Sequence, residues 1–446
     1  MGVAARSAGG SASRAEVQRL IETWLDALDP TGRWALLKLM TGGLRVGVSA
    51  RLAKQAVAAL GGVEVAEIEE IWHGLSPPYE DLFAWLEGRS DRPSAISPGR
   101  FRPVMLAQAL DEAVDFARLD PGAYRAEWKW DGIRVQAVSE GGVRRLYSRT
   151  GDDTSGAFPD LVDAMNFDAV LDGELLVGRP PEWTGTFSDL QQRLNRKSVS
   201  AKMRDHYPVF VRCYDILQVG EEDMRALPFM ERRARLSAFL DTLDPARFDL
   251  SPEVPFVSWQ ELDTLRKKPP HPVIEGVMLK ERQSPYLAGR PKGPWFKWKR
   301  DPHTVDAVLM YAQRGHGKRS SYYSDFTFGV WSGPNGQDEL VPVGKAYFGF
   351  TDEELRQLDK YVRDNTIERF GPVRSVRAQA DHGLVLEVAF EGINRSPRHR
   401  SGVAMRFPRI SRIRWDKPAF EADRIDTLMS MIESEDRAKS IERPIP

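Results

Sequence analysis

Apolar residues recur three and four positions apart in four stretches between residue 14 and about residue 88: EVQRLIETWLDAL, GRWALLKLM, SARLAKQAVAAL and VAEIEEIWHGL. That period lines one side of a helix, so these stretches are predicted to be short amphipathic helices. Turns such as DPTGR and GG separate them. The Pro, Ser, Gly and Arg-rich stretch SDRPSAISPGRFRP, residues 90–103, reads as a linker. From about residue 121 the period falls to two in AEWKWDGIRVQAVS, VRRLYSR, AVLDGELLV, VFVRCYDIL, GVMLKE and PWFKWKR. Short β-like runs with helices between them predict an α+β domain on antiparallel sheets. A third style follows residue 303, with strands predicted at VDAVLMYAQ, DFTFGVW, ELVPVGKAYFG and LVLEVAF. One helix, TDEELRQLDKYVRDN, interrupts them; Thr351 and Glu354 stand at its start at capping-box spacing. A few strands with one interrupting helix suit a small barrel such as an OB-fold.

The expected architecture is therefore multidomain α+β. It comprises a disordered start (1–13), a helical domain (14–110), an antiparallel-sheet domain (111–302), a C-terminal OB-fold barrel (303–420) and a tail (421–446). The hydrophobic share of 41% and charged share of 28% exclude a disordered or collagen-like chain. A lone cysteine, Cys213, excludes intrachain disulfides and cysteine-rich zinc sites, and points to a reducing compartment. The seven histidines have no metal-ligand spacing. With no signal-like apolar core at the start and no apolar run of membrane length, the expected location is cytoplasmic, neither secreted nor membrane-spanning.

The segment EWKWDGIR puts Glu127, Lys129 and Asp131 at spacing two, which on a strand separates them from Trp128 and Trp130. PWFKWKR repeats the alternation, with Lys297 and Lys299 on one face and Phe296 and Trp298 on the other. Two such strands can line one polar cleft above one apolar core. Between them LDGEL and IEGVMLK set Glu174 and Glu275 among glycine and apolar residues. Carboxylates so placed are candidate Mg²⁺ ligands, because hard cations take oxygen and share it with substrate phosphates. A lysine in such a cleft is a candidate nucleophile, provided nearby cations and desolvation favour its neutral form.

In sequence and order, KWDGIR, SRTGDD, LDGEL, VRCYDIL, EGVMLK and WFKWKR, followed by RFPRISRIRWDKP, resemble the motif series of ATP-dependent DNA ligases in the covalent nucleotidyltransferase superfamily. TGGLRVGVSARLAKQA and RHRSGVAMRFPR resemble the bacterial type. The resemblance implies a ligase that seals nicks in duplex DNA, in repair, replication or recombination, through a lysyl-AMP formed at Lys129. It implies ATP as adenylate donor and Mg²⁺ or Mn²⁺ as metal. It further implies nicked duplex DNA as partner, a monomer, and action at the nucleoid of a bacterial cytoplasm. By the same resemblance Glu127 would read adenine, Arg134 and Glu174 would lie near the ribose, and Arg149 would hold ribose or a nick phosphate. Tyr214 would stack on the base, and Glu174 and Glu275 would bind metal. Lys297 and Lys299 would contact the α-phosphate, and Arg406, Arg414 and Lys417 would orient the pyrophosphate.

The helical segment before residue 110 is shorter than the family's usual N-terminal DNA-binding domain, which keeps a truncated nick-binding protein with impaired sealing as an alternative. An RNA ligase or another nucleotidyltransferase is the second. RGHGKRSS (314–321) has Ala312 where a phosphate-binding Walker loop needs glycine, and reads instead as a basic barrel loop. The net charge of −1 seems to argue against a polyanionic partner, but charge is segregated. Residues 280–300 hold seven basic side chains to one acid, and residues 395–417 eight to one. If both face one cleft, they form the footprint that phosphate binding needs.

Overall fold

The computed structural model describes residues 11–41, 47–93 and 98–440, apart from 73, 76, 182, 195, 197, 316–319 and 334–337. Most of the Gly/Ala/Ser-rich start, the middle of the Pro/Ser-rich linker, the centre of the RGHGKRSS loop and the end of the tail lie outside them. Two compact units emerge, Met1–Ser97 and Pro98–Pro446.

In the first unit the helical periodicity becomes the helices Ser11–Ala27, Pro30–Met40, Ala50–Gly61, Val65–Trp72 and Glu80–Leu86. Their starts follow capping chemistry. The Asp29 side chain accepts from the Gly32 amide and Ser49 from the Leu52 amide, satisfying donors that the first turn leaves open. Ala58, Ile68, Ile71, Leu82 and Leu86 form the small core.

The second unit contains two mainly antiparallel sheets and a barrel. One sheet orders Gln108–Ala109, Trp295–Lys299, Ile274–Glu281, Tyr124–Trp130 and Glu253–Val254. The other runs Val143–Ser148, Ile133–Glu140, Ala169–Arg179, Val209–Val219 and Glu222–Asp223. In the first sheet the period of two sorts side chains as the sequence leads one to expect. Ala126, Val277, Leu279, Phe296 and Trp298 share an apolar core with the partly buried Trp128, while Glu127, Lys129, Met278, Lys280 and Lys297 face a cavity.

The long strand His303–Arg314 organises the barrel. It pairs with Tyr323–Ser332 on one side, and with Val373–Val376 and then Val385–Phe390 on the other. The sheet curls until the Ile410 amide, on the last strand Arg409–Arg414, donates to the Phe348 carbonyl at 3.2 Å. Helix Asp352–Asp364 begins with the expected capping box of Thr351 and Glu354. A helix, Ile425–Ser440, occupies the stretch for which the sequence pattern offered only a tail, and its Leu428 and Ile432 enter the barrel core.

Gly276 carries a constraint on which the first sheet depends. It stands in register with Lys129 on one neighbouring strand and Lys299 on the other, at φ +150°. A Cβ here would come 2.3 Å from the Trp298 carbonyl oxygen and 2.6 Å from the Lys299 Cα, both backbone atoms. Gly276→Ala is expected to lower stability by about 2 kcal/mol or more, measured by denaturant unfolding; an unchanged midpoint and slope would refute the close-approach reading.

Candidate active site

The cavity, about 470 Å³, lies where the two sheets of the second unit face each other. Glu127, Lys129, Glu275, Lys280 and Lys297 line it from the first sheet, and Arg134, Arg149, Glu174 and Tyr214 line it from the second. Two of these side chains owe their direction to irregular pairing. The register between Ile274–Glu281 and Tyr124–Trp130 slips between Ile274 and Gly276, leaving Glu275 as the extra residue. The register between Ala169–Arg179 and Val209–Val219 slips between Asp172 and Gly173, and there Tyr214 is the extra residue. A bulge of this kind re-aims a side chain that strict alternation would send elsewhere.

The Glu275 carboxylate is the electrostatic centre of the cavity. It accepts from Lys129 Nζ through one oxygen and lies 2.9 Å from Lys299 Nζ through the other. Burial pushes its pKa up, but the two lysines outweigh this and hold it below the usual carboxylate range. Lys299 also donates to Glu391 of the barrel at 2.7 Å. Burial alone would weaken its charge, yet the two carboxylates keep its pKa above the ordinary lysine value. Lys297 has no ion-pair or hydrogen-bond partner among the described residues. Burial, followed by the charges of Lys299, Lys129 and Arg290, holds its pKa below the ordinary lysine value. A half-buried cation under repulsion from three others favours the arrival of an anion.

Glu174 is the opposite case. Its carboxylate accepts no hydrogen bond and joins no ion pair among the described residues. Burial pushes its pKa up to about 8, against the pull of Lys129 and with the like charge of Glu275. A divalent cation beside Glu174 would relieve both effects. Among the described residues no cluster of three or more His, Cys, Asp or Glu is placed to hold a metal by itself. The donor set therefore fits a hard cation that takes one or two carboxylates and completes its shell with water and substrate phosphate, as Mg²⁺ does.

The remaining expected residues divide into two groups. Glu127, only 1% exposed, is held by Arg233 at 2.8 Å and Lys280 at 3.1 Å. Tyr214 presents a phenol whose pKa burial pushes well above the ordinary value, with Lys280 Nζ 4.6 Å from its ring centroid. Arg149 is exposed at the rim, with no partner among the described residues. Arg134 lines the wall, but its guanidinium is occupied. It donates to Asp172 at 3.0 and 2.6 Å, to the Met105 carbonyl at 2.6 Å and to the Tyr286 hydroxyl at 3.0 Å. Arg406 ends the hairpin strand Val403–Arg406 and reaches Asp131, the turn residue just past the Lys129 strand, with one contact at 3.1 Å. Its guanidinium also lies 5.1 Å from the Phe187 ring centroid. Arg414 and Lys417 are not brought to the cavity: both bond Asp306 on the barrel's own long strand, at 3.1 and 2.8 Å, and Arg414 also grips Asp416.

Reasoning from the sequence missed Lys280 and Trp295, which line the cavity, and Arg233, which holds Glu127. Lys280 was visible as the continuation of the period-two face beyond Met278. Arg233, on helix Phe229–Leu240, carried no motif signal.

Two family models match the chain. The ATP dependent DNA ligase domain spans residues 104–299, and the ATP dependent DNA ligase C terminal region spans residues 319–417. A "Probable DNA ligase" of Koribacter versatilis is 34% identical over 435 residues, covering 92% of this chain and 73% of that protein. A "Probable DNA ligase" of Anaeromyxobacter sp. is 33% identical over 443 residues, covering 96% of this chain and 81% of its own. A solved structure described as "Pmar-Lig_PreS3" shares the fold at a TM-score of 0.53, with 16% identity over 76% of this chain and 72% of that one.

The pKa of Glu174 has a consequence for stability. Between the ordinary value of 4.5 and about 8, the folded protein binds more protons at this site than the unfolded chain does. Its contribution to stability therefore falls as pH rises through that window and levels off above it. In metal-free buffer Glu174→Gln is expected to lack this fall and to gain on the parent protein as pH rises. Chemical denaturation across the window measures the difference, and parallel pH profiles for the two proteins would contradict the assignment.

Proposed function

The chain belongs to the ATP-dependent DNA ligase family, and from that premise we infer that Lys129 is the residue adenylated and that the cavity around it is the nucleotide site. The family uses ATP and a divalent metal and seals nicks through a lysyl-AMP. In the first step Lys129 Nζ gives up a proton and forms a bond to the α-phosphorus, while the bond to the pyrophosphate oxygen breaks. AMP then passes to the 5′-phosphate at a nick. Attack by the adjacent 3′-hydroxyl joins the strand and releases AMP.

The observation that carries the reading is the arrangement around Glu275. That carboxylate fixes Lys129 and Lys299 in one row, while Lys297 lines the same cavity with no direct ion pair among the described residues. Phosphoryl transfer asks for an in-line nucleophile and cations around the equatorial oxygens, and little else of the protein. In this reading Lys297 meets the α-phosphate, Lys299 holds Glu275 in place, Tyr214 offers its face to the base and Glu127 reads the base edge. Arg149 contacts ribose or a nick phosphate. Glu174 and Glu275 would hold Mg²⁺ or Mn²⁺, which when bound neutralises phosphate charge. Arg134 acts as part of the wall, fixed by Asp172 and Tyr286, and not as a mobile ribose ligand. Arg406 steadies the turn at Asp131. Arg414 and Lys417 would serve the pyrophosphate only after leaving Asp306.

The sequence bounds of 111–302 for the catalytic domain and 303–420 for the barrel are extended in this reading, because the strand Gln108–Ala109 joins the catalytic sheet and the helix Ile425–Ser440 packs into the barrel core. We further propose monomeric action in the cytoplasm, in service of repair, replication or recombination; family membership supports this reading.

Two outcomes test the proposal. With ATP labelled at the α-phosphate and Mg²⁺, the protein is expected to acquire a label that survives a denaturing gel and is released by acid; Lys129→Ala should acquire none. An adduct undiminished in that variant would falsify the assignment of the nucleophile. Affinity for nicked duplex DNA should fall log-linearly and steeply with salt, because the segregated basic segments displace counterions. A nearly flat salt dependence would count against their facing DNA.

A further inference from the structure

Glu127 is the most deeply buried acid of the cavity wall, and each of its carboxylate oxygens is held by a different cation. Arg233 Nη1 donates to Oε1 at 2.8 Å, and Lys280 Nζ donates to Oε2 at 3.1 Å. Neither cation is free to drift. The other two nitrogens of the Arg233 fork donate to Glu253 and to the Ser251 carbonyl, both at 2.7 Å. Lys280 Nζ also donates to the Tyr214 carbonyl at 3.1 Å and lies 4.6, 4.9 and 4.7 Å from the ring centroids of Tyr214, Phe229 and Trp295. The carboxylate is thus held against rotation at the wall of the cavity that Tyr214 also lines.

We propose that Arg233 and Lys280 are positioning residues that set base selectivity: they pin the Glu127 carboxylate as a fixed acceptor for the amino group of adenine and against the carbonyl that guanine carries at the same ring position. The proposal rests on the reading of Glu127 as the residue that meets the base. A carboxylate presents only acceptors, so an amino group opposite it gains a charge-assisted hydrogen bond, whereas a carbonyl meets repulsion. A carboxylate free to turn could instead find the ring N–H of guanine; one clamped at both oxygens cannot. Selectivity then depends in part on Arg233, which does not line the cavity, and so on a helix, Phe229–Leu240, outside the recognisable motifs.

The test uses the full chain and measures the rate of lysyl-nucleotide formation with ATP, GTP and purine riboside triphosphate, which lacks the amino group. Arg233→Met should lower kcat/KM for ATP by about tenfold or more, mainly through KM, the loss expected when a charged hydrogen bond is misplaced. It should change the rate with the purine analogue far less, so that discrimination between the two collapses. Arg233→Lys should recover part of it. Losing a partner of a buried carboxylate also costs stability, so thermal melting accompanies each variant. Where Arg233→Met does not fold, Arg233→Lys and Lys280→Arg carry the same comparison. An equal fall for both nucleotides means that Arg233 is only scaffold and overturns the proposal, as does undiminished discrimination. Glu127→Gln separates the premise from the proposal. If it leaves the ATP-to-GTP preference intact, Glu127 does not read the base. If it abolishes that preference while the Arg233 and Lys280 variants keep it, only the positioning role fails.

Discussion

The Glu275 carboxylate, shared by Lys129 and Lys299, is the contact around which the site is built. Like-charged ammonium groups on the two strands that flank Ile274–Glu281 in a half-buried sheet repel, and burial makes that repulsion expensive. One carboxylate between them makes the arrangement possible, but only if its strand bulges to deliver it and the next residue has no side chain. Gly276 meets the second condition, because its backbone lies against Trp298 and Lys299 where no Cβ fits. Nucleophile, counter-charge and backbone geometry thus form one unit, and none can be altered without disturbing the other two.

Much of this was legible in the sequence. The period-two faces of EWKWDGIR and PWFKWKR pointed to Glu127, Lys129 and Lys297, which line the cavity, although Trp128 and Trp130 line it too and Asp131 and Lys299 do not; the capping box at Thr351 foretold a helix start. What the sequence did not reveal depends on residues far apart in the chain. The strands Gly392–Arg395, Val403–Arg406 and Arg409–Arg414 lie in segments too short and too basic to show alternation. The partners of Arg414 and Lys417 were equally invisible, since Asp306 stands more than a hundred positions earlier. Arg134 shows the limit of transferring a role by motif: the match is right in position, yet the guanidinium is spent on Asp172, Tyr286 and a carbonyl.

The cavity also shows how one fold separates carboxylates by environment. Glu275 has two cations at hand and its pKa stays low, whereas Glu174, on the other sheet lining the same cavity, has no partner among the described residues and its pKa rises to about 8. Groups of one chemical type are thereby given different affinities for protons, and so for cations, without any change in residue identity. Family membership brings the reaction; these local environments decide which atoms are free to take part in it.

The barrel meets the catalytic sheets at the Lys129 end through ionic contacts, Arg406 with Asp131 and Lys299 with Glu391, all of them partly exposed. Each body keeps its own oily interior, sealed from water. The polar seam between them can exchange its partners for solvent and small ions with little loss, as exposed ion pairs do. The two cores are thus joined by a seam of exchangeable contacts, and one of these, at Asp131, lies one residue beyond the proposed nucleophile's strand.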